Sequence, residues 1–122
     1  MVHDFEILGM RPFIPSGADF AAACRFFVEL GFEKIWEVEG YAGFARGGAN
    51  FILQAYDNNA FASNLMVRID VSDLDAWWSS ISKKELETKF LGVKIKPPTD
   101  YSWGREVNII DLAGVCWPVG EN

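Results

Sequence analysis

The sequence predicts an α+β fold: two βαβββ modules that together form a curled mixed sheet around a concave site. Three observations carry this. Two segments, 19–30 and 73–86, each open on an aspartate suited to cap a helix and continue with apolar residues at helical spacing. The two stand 54 positions apart and match in order and chemistry: Asp19 with Asp73, Phe20 with Leu74, Ala22 with Ala76, Cys24 with Trp78, Phe27 with Ile81. Each is preceded by one short strand pattern and followed by three. Strand-first halves, with no G-x-G-x-x-G and no P-loop, exclude a doubly wound nucleotide fold.

The elements follow in order. Residues 7–14, "ILGMRPFI", read as a strand, with Pro12 marking an edge or crossover because it cannot donate to a ladder. "PSGAD" turns the chain, and Asp19 caps a helix whose apolar stripe is Phe20, Ala23, Cys24 and Phe27; Gly31 ends it. "FEKIWEV", "YAGFAR" and "NFILQAY" are three strands broken at Glu39-Gly40 and Gly47-Gly48. "DNNAFASN" reads as a polar loop. "NLMVRIDV" alternates, with Val67, Ile69 and Val71 on one face. Asp73 caps a second helix with Leu74, Trp77, Trp78 and Ile81 on its stripe, and "KKELETK" is its solvated end. "GVKIKPP", "REVNIID" and "VCWPV" complete the second set of strands.

At 122 residues the chain is expected to form one domain, 1–122, with module one at about 5–58 and module two at about 62–120. A chain this long buries roughly two thirds of its unfolded surface. Half the residues are apolar and 15% aromatic, which excludes disorder. Eleven basic against 17 acidic residues, a net charge of -6, speak against nucleic acid and suit a cationic ligand. The two cysteines, Cys24 and Cys116, form no C-x-x-C pair and fit a reducing, cytoplasmic setting. No signal peptide is read in "MVHDFEILGM", and no apolar run reaches the roughly 20 residues of a membrane span.

If Val67, Ile69 and Val71 pack on the helix, then Asn64, Met66, Arg68 and Asp70 face the hollow. Asn50 and Gln54 share a face of their strand with Ile52, and Glu106 and Asn108 share one of theirs. Trp77, Trp78 and Trp117 read as core. Trp103, beside a glycine at the mouth of a hairpin, suits core and site equally. The candidate ligand-binding set is therefore Asn50, Gln54, Asn64, Met66, Arg68, Trp103, Glu106 and Asn108. Arg68 needs a partner, Glu106 being the expected one, because an unpaired guanidinium is costly to bury. Phe44, Phe51 and Tyr56 offer stacking surface, although strands of this composition carry aromatics in any case.

Three stretches resemble the vicinal oxygen chelate superfamily of glyoxalase I, extradiol dioxygenases, fosfomycin resistance enzymes and bleomycin resistance proteins: "FIPSGADFAAACRFFVELGF" (13–32), "IDVSDLDAWW" (69–78) and "WGREVNIIDLAGVCW" (103–117). The last is similar to that family's closing hairpin, with Asp111-Leu112-Ala113-Gly114 as a loosened version. The resemblance implies the glyoxalase/bleomycin resistance fold over essentially the whole chain. It also places the four metal-ligand positions at Arg11 or Pro12, near Ile52 or Gln54, at Met66 and at Pro118. Only Gln54 could ligate there, while a transition metal needs about three N, O or S ligands. His3, the sole histidine, stands at the N-terminus. The implied reading is a bleomycin-resistance-like protein: no metal, no cofactor and no catalytic residue, a homodimer holding an aromatic or cationic small molecule in a groove between subunits. The alternatives are a metal-dependent lyase, isomerase or dioxygenase recruiting Glu106, Asp70 or Asp111, and a non-catalytic regulatory domain.

Overall fold

A computed structural model describes residues 4–121. Its elements are β1 (Phe13–Pro15), α1 (Phe20–Leu30), β2 (Glu33–Val38), β3 (Tyr41–Arg46), β4 (Ala49–Gln54), α2 (Asn59–Ala62), β5 (Ile69–Val71), α3 (Leu74–Ser82), α4 (Leu86–Lys89), β6 (Lys94–Tyr101), β7 (Gly104–Ile110) and β8 (Cys116–Glu121). The strands form two four-stranded sheets of one design, β1-β4-β3-β2 and β5-β8-β7-β6. In each, the leading strand pairs parallel with the last and the others pair antiparallel. The repeat in sequence is thus a repeat in topology: two βαβββ units in an α+β fold with mixed sheets.

The caps that signalled the repeat do the same work in both units. Asp19 accepts the amide of Ala22 and Asp73 that of Ala76, each at 3.0 Å. Such caps contribute about 1 kcal/mol apiece by satisfying a donor the helix cannot. One core joins the units. The ring of Phe27 on α1 lies 4.9 Å from Phe51 on β4 and 5.3 Å from Trp117 on β8, and Phe51 and Trp117 are 5.5 Å apart. Ile14, Leu53, Val107, Ile109 and Val119 are fully buried in the same cluster. Both sheets therefore turn one face into a shared core and the other face away from it. Trp117 is core, as expected; Trp77 and Trp78 are half-buried against the same cluster.

Several elements differ from the sequence reading, each for a local reason. The strand expected at 7–14 is paired only over Phe13–Pro15; residues 7–12 run exposed, because beyond the carbonyl of Pro12, which accepts from Ile52, no strand among the described residues pairs with them. The strand expected at 64–71 survives over Ile69–Val71, with an isolated bridge from Met66 to Cys116. "DNNAFASN" folds into α2, capped by Asn58, and Asn64 turns back onto it by donating to the Ala60 carbonyl at 2.9 Å. The second helix stops at Ser82; Glu85 adopts a left-handed conformation and α4 starts anew. Lys84 and Lys89 then reach the carbonyl and carboxylate of Glu29, tying the second unit to the last turn of α1. Val67, Ile69 and Val71 are half-buried rather than sealed, since a crevice of about 960 Å³ opens beside them toward Leu30, Phe51 and Trp117. No helix among the described residues is long and apolar enough to cross a membrane.

Candidate functional site

The free face of the second sheet carries a hydrogen-bonded cluster. Glu106 on β7 stands opposite Gly120 on β8 and Thr99 on β6; Asn108 stands opposite Pro118 and Lys96. The Arg68 guanidinium donates to the Glu106 carboxylate at 3.0 Å, to Asp70 at 3.0 Å and to the Glu121 carbonyl at 3.3 Å. The pairing of Arg68 with Glu106 is thus as the alternation required. Gly120 makes room for it: a Cβ there would stand 2.6 Å from Arg68 Nη2 and 3.2 Å from the Arg105 carbonyl. Glu106 also accepts from the Trp103 indole at 3.2 Å and from Asn108 Nδ2 at 3.4 Å. These donors explain how a carboxylate only 6% exposed is tolerated.

Trp103 is 67% exposed, yet held by two contacts. Its indole N–H is bound by Glu106, and one ring face stacks on Tyr101, centroids 4.7 Å apart and planes 7° apart. The Lys96 ammonium lies 5.2 Å from the Tyr101 ring centroid. An oriented indole with an open face is a surface on which a planar molecule can stack.

The free face of the first sheet has different chemistry. A bulge at Ile35 shifts the phase of β2, so Trp36 pairs with Gly43 on the face away from the core. The indole lies across that glycine: a Cβ on residue 43 would fall 2.2 Å from Trp36 Nε1. Phe13 meets Tyr41 edge-on, centroids 6.1 Å apart, and Ile52, Asn50 and Gln54 complete the face along β4.

Cys116 sits on the second face beside Asn108, with its thiol 3.9 Å from Asn108 Oδ1. Burial, then the charges of Glu106 and Asp111, push its pKa up, so the thiol stays protonated and is a poor nucleophile. Asp111 works inside the hairpin. One carboxylate oxygen accepts the amides of Ala113, Gly114 and Val115 at 2.9–3.0 Å, and the other accepts Trp117 Nε1 at 2.8 Å. Burial pushes this carboxyl up, opposed by Trp117 and the three amides.

The residues do not fit a divalent metal. Pro118 is locked in the β7–β8 ladder, Met66 offers only a thioether at its bridge, and among the described residues no three His, Cys, Asp or Glu side chains gather where an ion could sit. Glu106 and Asp70, the carboxylates that could be recruited, are engaged by Arg68, and Asp111 is enclosed in its turn. His3 lies outside the described residues.

The expected set divides accordingly. Met66, Arg68, Trp103, Glu106 and Asn108 share the second face. Asn50 and Gln54 stand on the first sheet's free face; Asn50 also borders the crevice that Arg68 and Asp70 line, whereas Gln54 does not reach it. Asn64 is on neither: its side chain closes the turn after α2. Phe44 and Phe51 are buried in the core rather than available for stacking, while Tyr56 packs on Phe61 of α2. Sequence reasoning missed Tyr101, Lys96 and Trp36. Alternation back from Trp103 points to Tyr101, but Trp36 is hidden by a bulge that periodicity does not show.

Neither a protein-family model nor a curated protein sequence matches the chain. Solved structures do. The bleomycin-binding protein from the bleomycin producer Streptomyces verticillus, in complex with copper(II)-bleomycin, is 26% identical over 98% of this chain and 99% of that one, with a TM-score of 0.77. A glyoxalase/bleomycin resistance protein from Catenulispora acidiphila is 26% identical over 95% and 99%, TM-score 0.72. The antibiotic-binding protein TnmS3 from Streptomyces sp. CB03234 is 20% identical over 98% and 100%, TM-score 0.71, a likeness of fold. Paired βαβββ units with a helix-packed face and a free face define the glyoxalase/bleomycin resistance fold. The chain belongs to the vicinal oxygen chelate superfamily that is built on it.

Proposed function

We propose that this protein is a metal-free binder that sequesters an aromatic, drug-like small molecule in a groove completed by a second copy of the chain. The observation that carries this is the Tyr101–Trp103 stack, an exposed indole face held in place by a buried carboxylate. Large oriented aromatics on polar, hydrogen-bonded surfaces are binding hot spots. Catalysis has little support on the same face: Cys116 is held as a thiol and Glu106 is tied to three donors. The likeness to bleomycin- and antibiotic-binding proteins points the same way.

The second copy is inferred from two features. Gln54 on the first sheet's free face lies apart from Glu106 and Asn108 on the second, and a second copy would set the first face of one chain against Arg68, Glu106 and Asn108 of the other. Ahead of β1, Phe5, Ile7, Leu8 and Met10 are all more than 80% exposed, an apolar arm suited to lie on a neighbour. We place the protein in the cytoplasm, where free Cys24 and Cys116 remain reduced, and treat 1–122 as one domain of two modules.

Calorimetric titration with a panel of antibiotics that carry a planar aromatic group, copper(II)-bleomycin among them, tests the reading. At least one is expected to bind at about micromolar Kd or tighter, with Trp103→Ala weakening it at least about tenfold. Sedimentation should show two copies per particle, and Leu8→Asp should shift it toward one. Failure of every ligand to bind the folded protein would overturn the proposal, as would chelator-sensitive turnover of a substrate.

A further inference from the structure

The chain's overall charge of -6 suggests a cationic ligand. The free face of the second sheet has the opposite balance. Arg68, Lys94 and Lys96 stand on it against Asp70 and Glu106, as the pairings Lys94–Ile110, Lys96–Asn108, Thr99–Glu106 and Asp70–Gly120 place them. Both carboxylates are already spent on Arg68. Lys94 and Lys96 take part in none of the ion pairs among the described residues, and Lys96 sits beside the Tyr101–Trp103 stack. Along the strands of the first sheet's free face the charged residue is Glu33, at the end of β2, while the groups nearest its centre are Trp36, Ile52 and the amides of Asn50 and Gln54. Next to the stacking surface the lysines are therefore free of ion pairs among the described residues, while both carboxylates of the face are paired with Arg68.

From this we infer that the site selects a planar aromatic molecule carrying an acidic group, the ring on Trp103 and the anion toward Lys96, with Lys94 adding to the local field. The inference rests on the binding role proposed above and narrows it to a ligand class. A cation at the same position would meet Lys96 unscreened and would have to compete with Arg68 for Glu106.

Three probes with one ring system separate the possibilities: anthraquinone-2-sulfonate, 2-hydroxymethylanthraquinone and 2-(trimethylammoniomethyl)anthraquinone, titrated into the full chain at low and at physiological salt. The sulfonate is expected to bind about tenfold more tightly than the ammonium probe at low salt, with a smaller ratio at higher salt. Lys96→Gln should bring that ratio toward one and Lys96→Glu should invert it. Trp103→Ala should weaken all three. An ammonium probe that binds as tightly as the sulfonate, with both sensitive to Trp103→Ala, overturns the charge assignment and leaves the binding role standing. Sulfonate binding indifferent to Trp103→Ala or to Lys96→Glu also overturns it. If none of the three binds, the ligand-class inference falls, while the binding role is decided separately by the antibiotic panel.

Discussion

The two sheets share strand order, helix caps and core, and differ on their free faces. The first face is built by close packing: Trp36 laid over Gly43, Phe13 against Tyr41, and Ile52 between two amides. The second is built by hydrogen bonds that converge on Glu106 from Arg68, Trp103 and Asn108. Their hairpins differ in the same sense. The β3–β4 turn is closed by Gly47-Gly48, the β7–β8 turn by the Asp111 carboxylate gathering three amides and the Trp117 indole. A repeated unit thus keeps what its core needs and diverges on the faces turned away from it. The first face is a passive wall, and the second is a pre-set polar one.

This contrast can be broken most sharply at Arg68. Arg68→Met leaves Glu106 buried with its charge uncompensated and should cost about 2–3 kcal/mol of stability by urea unfolding. Adding Glu106→Leu should recover most of that loss, since an apolar pair replaces an ionic one. Gln54→Met on the first face should change stability by less than about 0.5 kcal/mol. Equal losses at the two sites would remove the distinction between the faces.

Next in size is Asp111→Asn, which presents an amide N–H to Trp117 or to the turn amides and should cost about 1–3 kcal/mol. Its pH dependence has a definite sign. Burial raises the folded-state pKa above the unfolded value, so the group's favourable contribution is full below the ordinary aspartate range. It is lost as pH rises through the raised value. Stability measured from acid to neutral pH should decline less steeply in Asp111→Asn than in the wild type; an unchanged slope counts against the raised pKa.

Gly43→Ala comes third. Its Cβ would occupy the Trp36 indole, which must swing away, with a loss of about 1 kcal/mol and a shifted indole N–H resonance in the NMR spectrum. An unmoved resonance would mean that the packed wall is softer than described. The smallest effect is expected at Asp75→Ala. Its ion pair with Arg105, 2.9 Å long, has both side chains largely in water and should contribute no more than about 0.5 kcal/mol.

The fold was legible because its signals are periodic and local. Asp19 and Asp73 announce their helices, and alternation assigns Glu106, Asn108 and Arg68 to one face. What escaped reading depends on single-residue phase changes or on partners far away in the chain. The bulge at Ile35 moves Trp36 to the free face, and the one at Pro97-Pro98 realigns β6 so that Thr99 and Tyr101 fall on the face with Glu106. Asn64 fits the alternation on paper, but the cap at Asn58 starts a helical turn that takes it out of the sheet. That Phe27 packs on both sheets at once, joining the two units in one core, is a contact no local pattern encodes.

The two irregular strands have a consequence for aggregation. β2 and β6 are the long outer edges of their sheets, where unpaired amides could recruit a stray chain and start a fibril. Both are spoiled as templates: β2 by its bulge, β6 by a bulge made of two prolines, which offer no N–H, and by flanking lysines that repel a copy of themselves. The opposite edges, β1 and β5, are three residues each, too short to hold an arbitrary strand. Open-ended stacking is therefore blocked on the long sides, and strand contact with another molecule is confined to two short, defined positions.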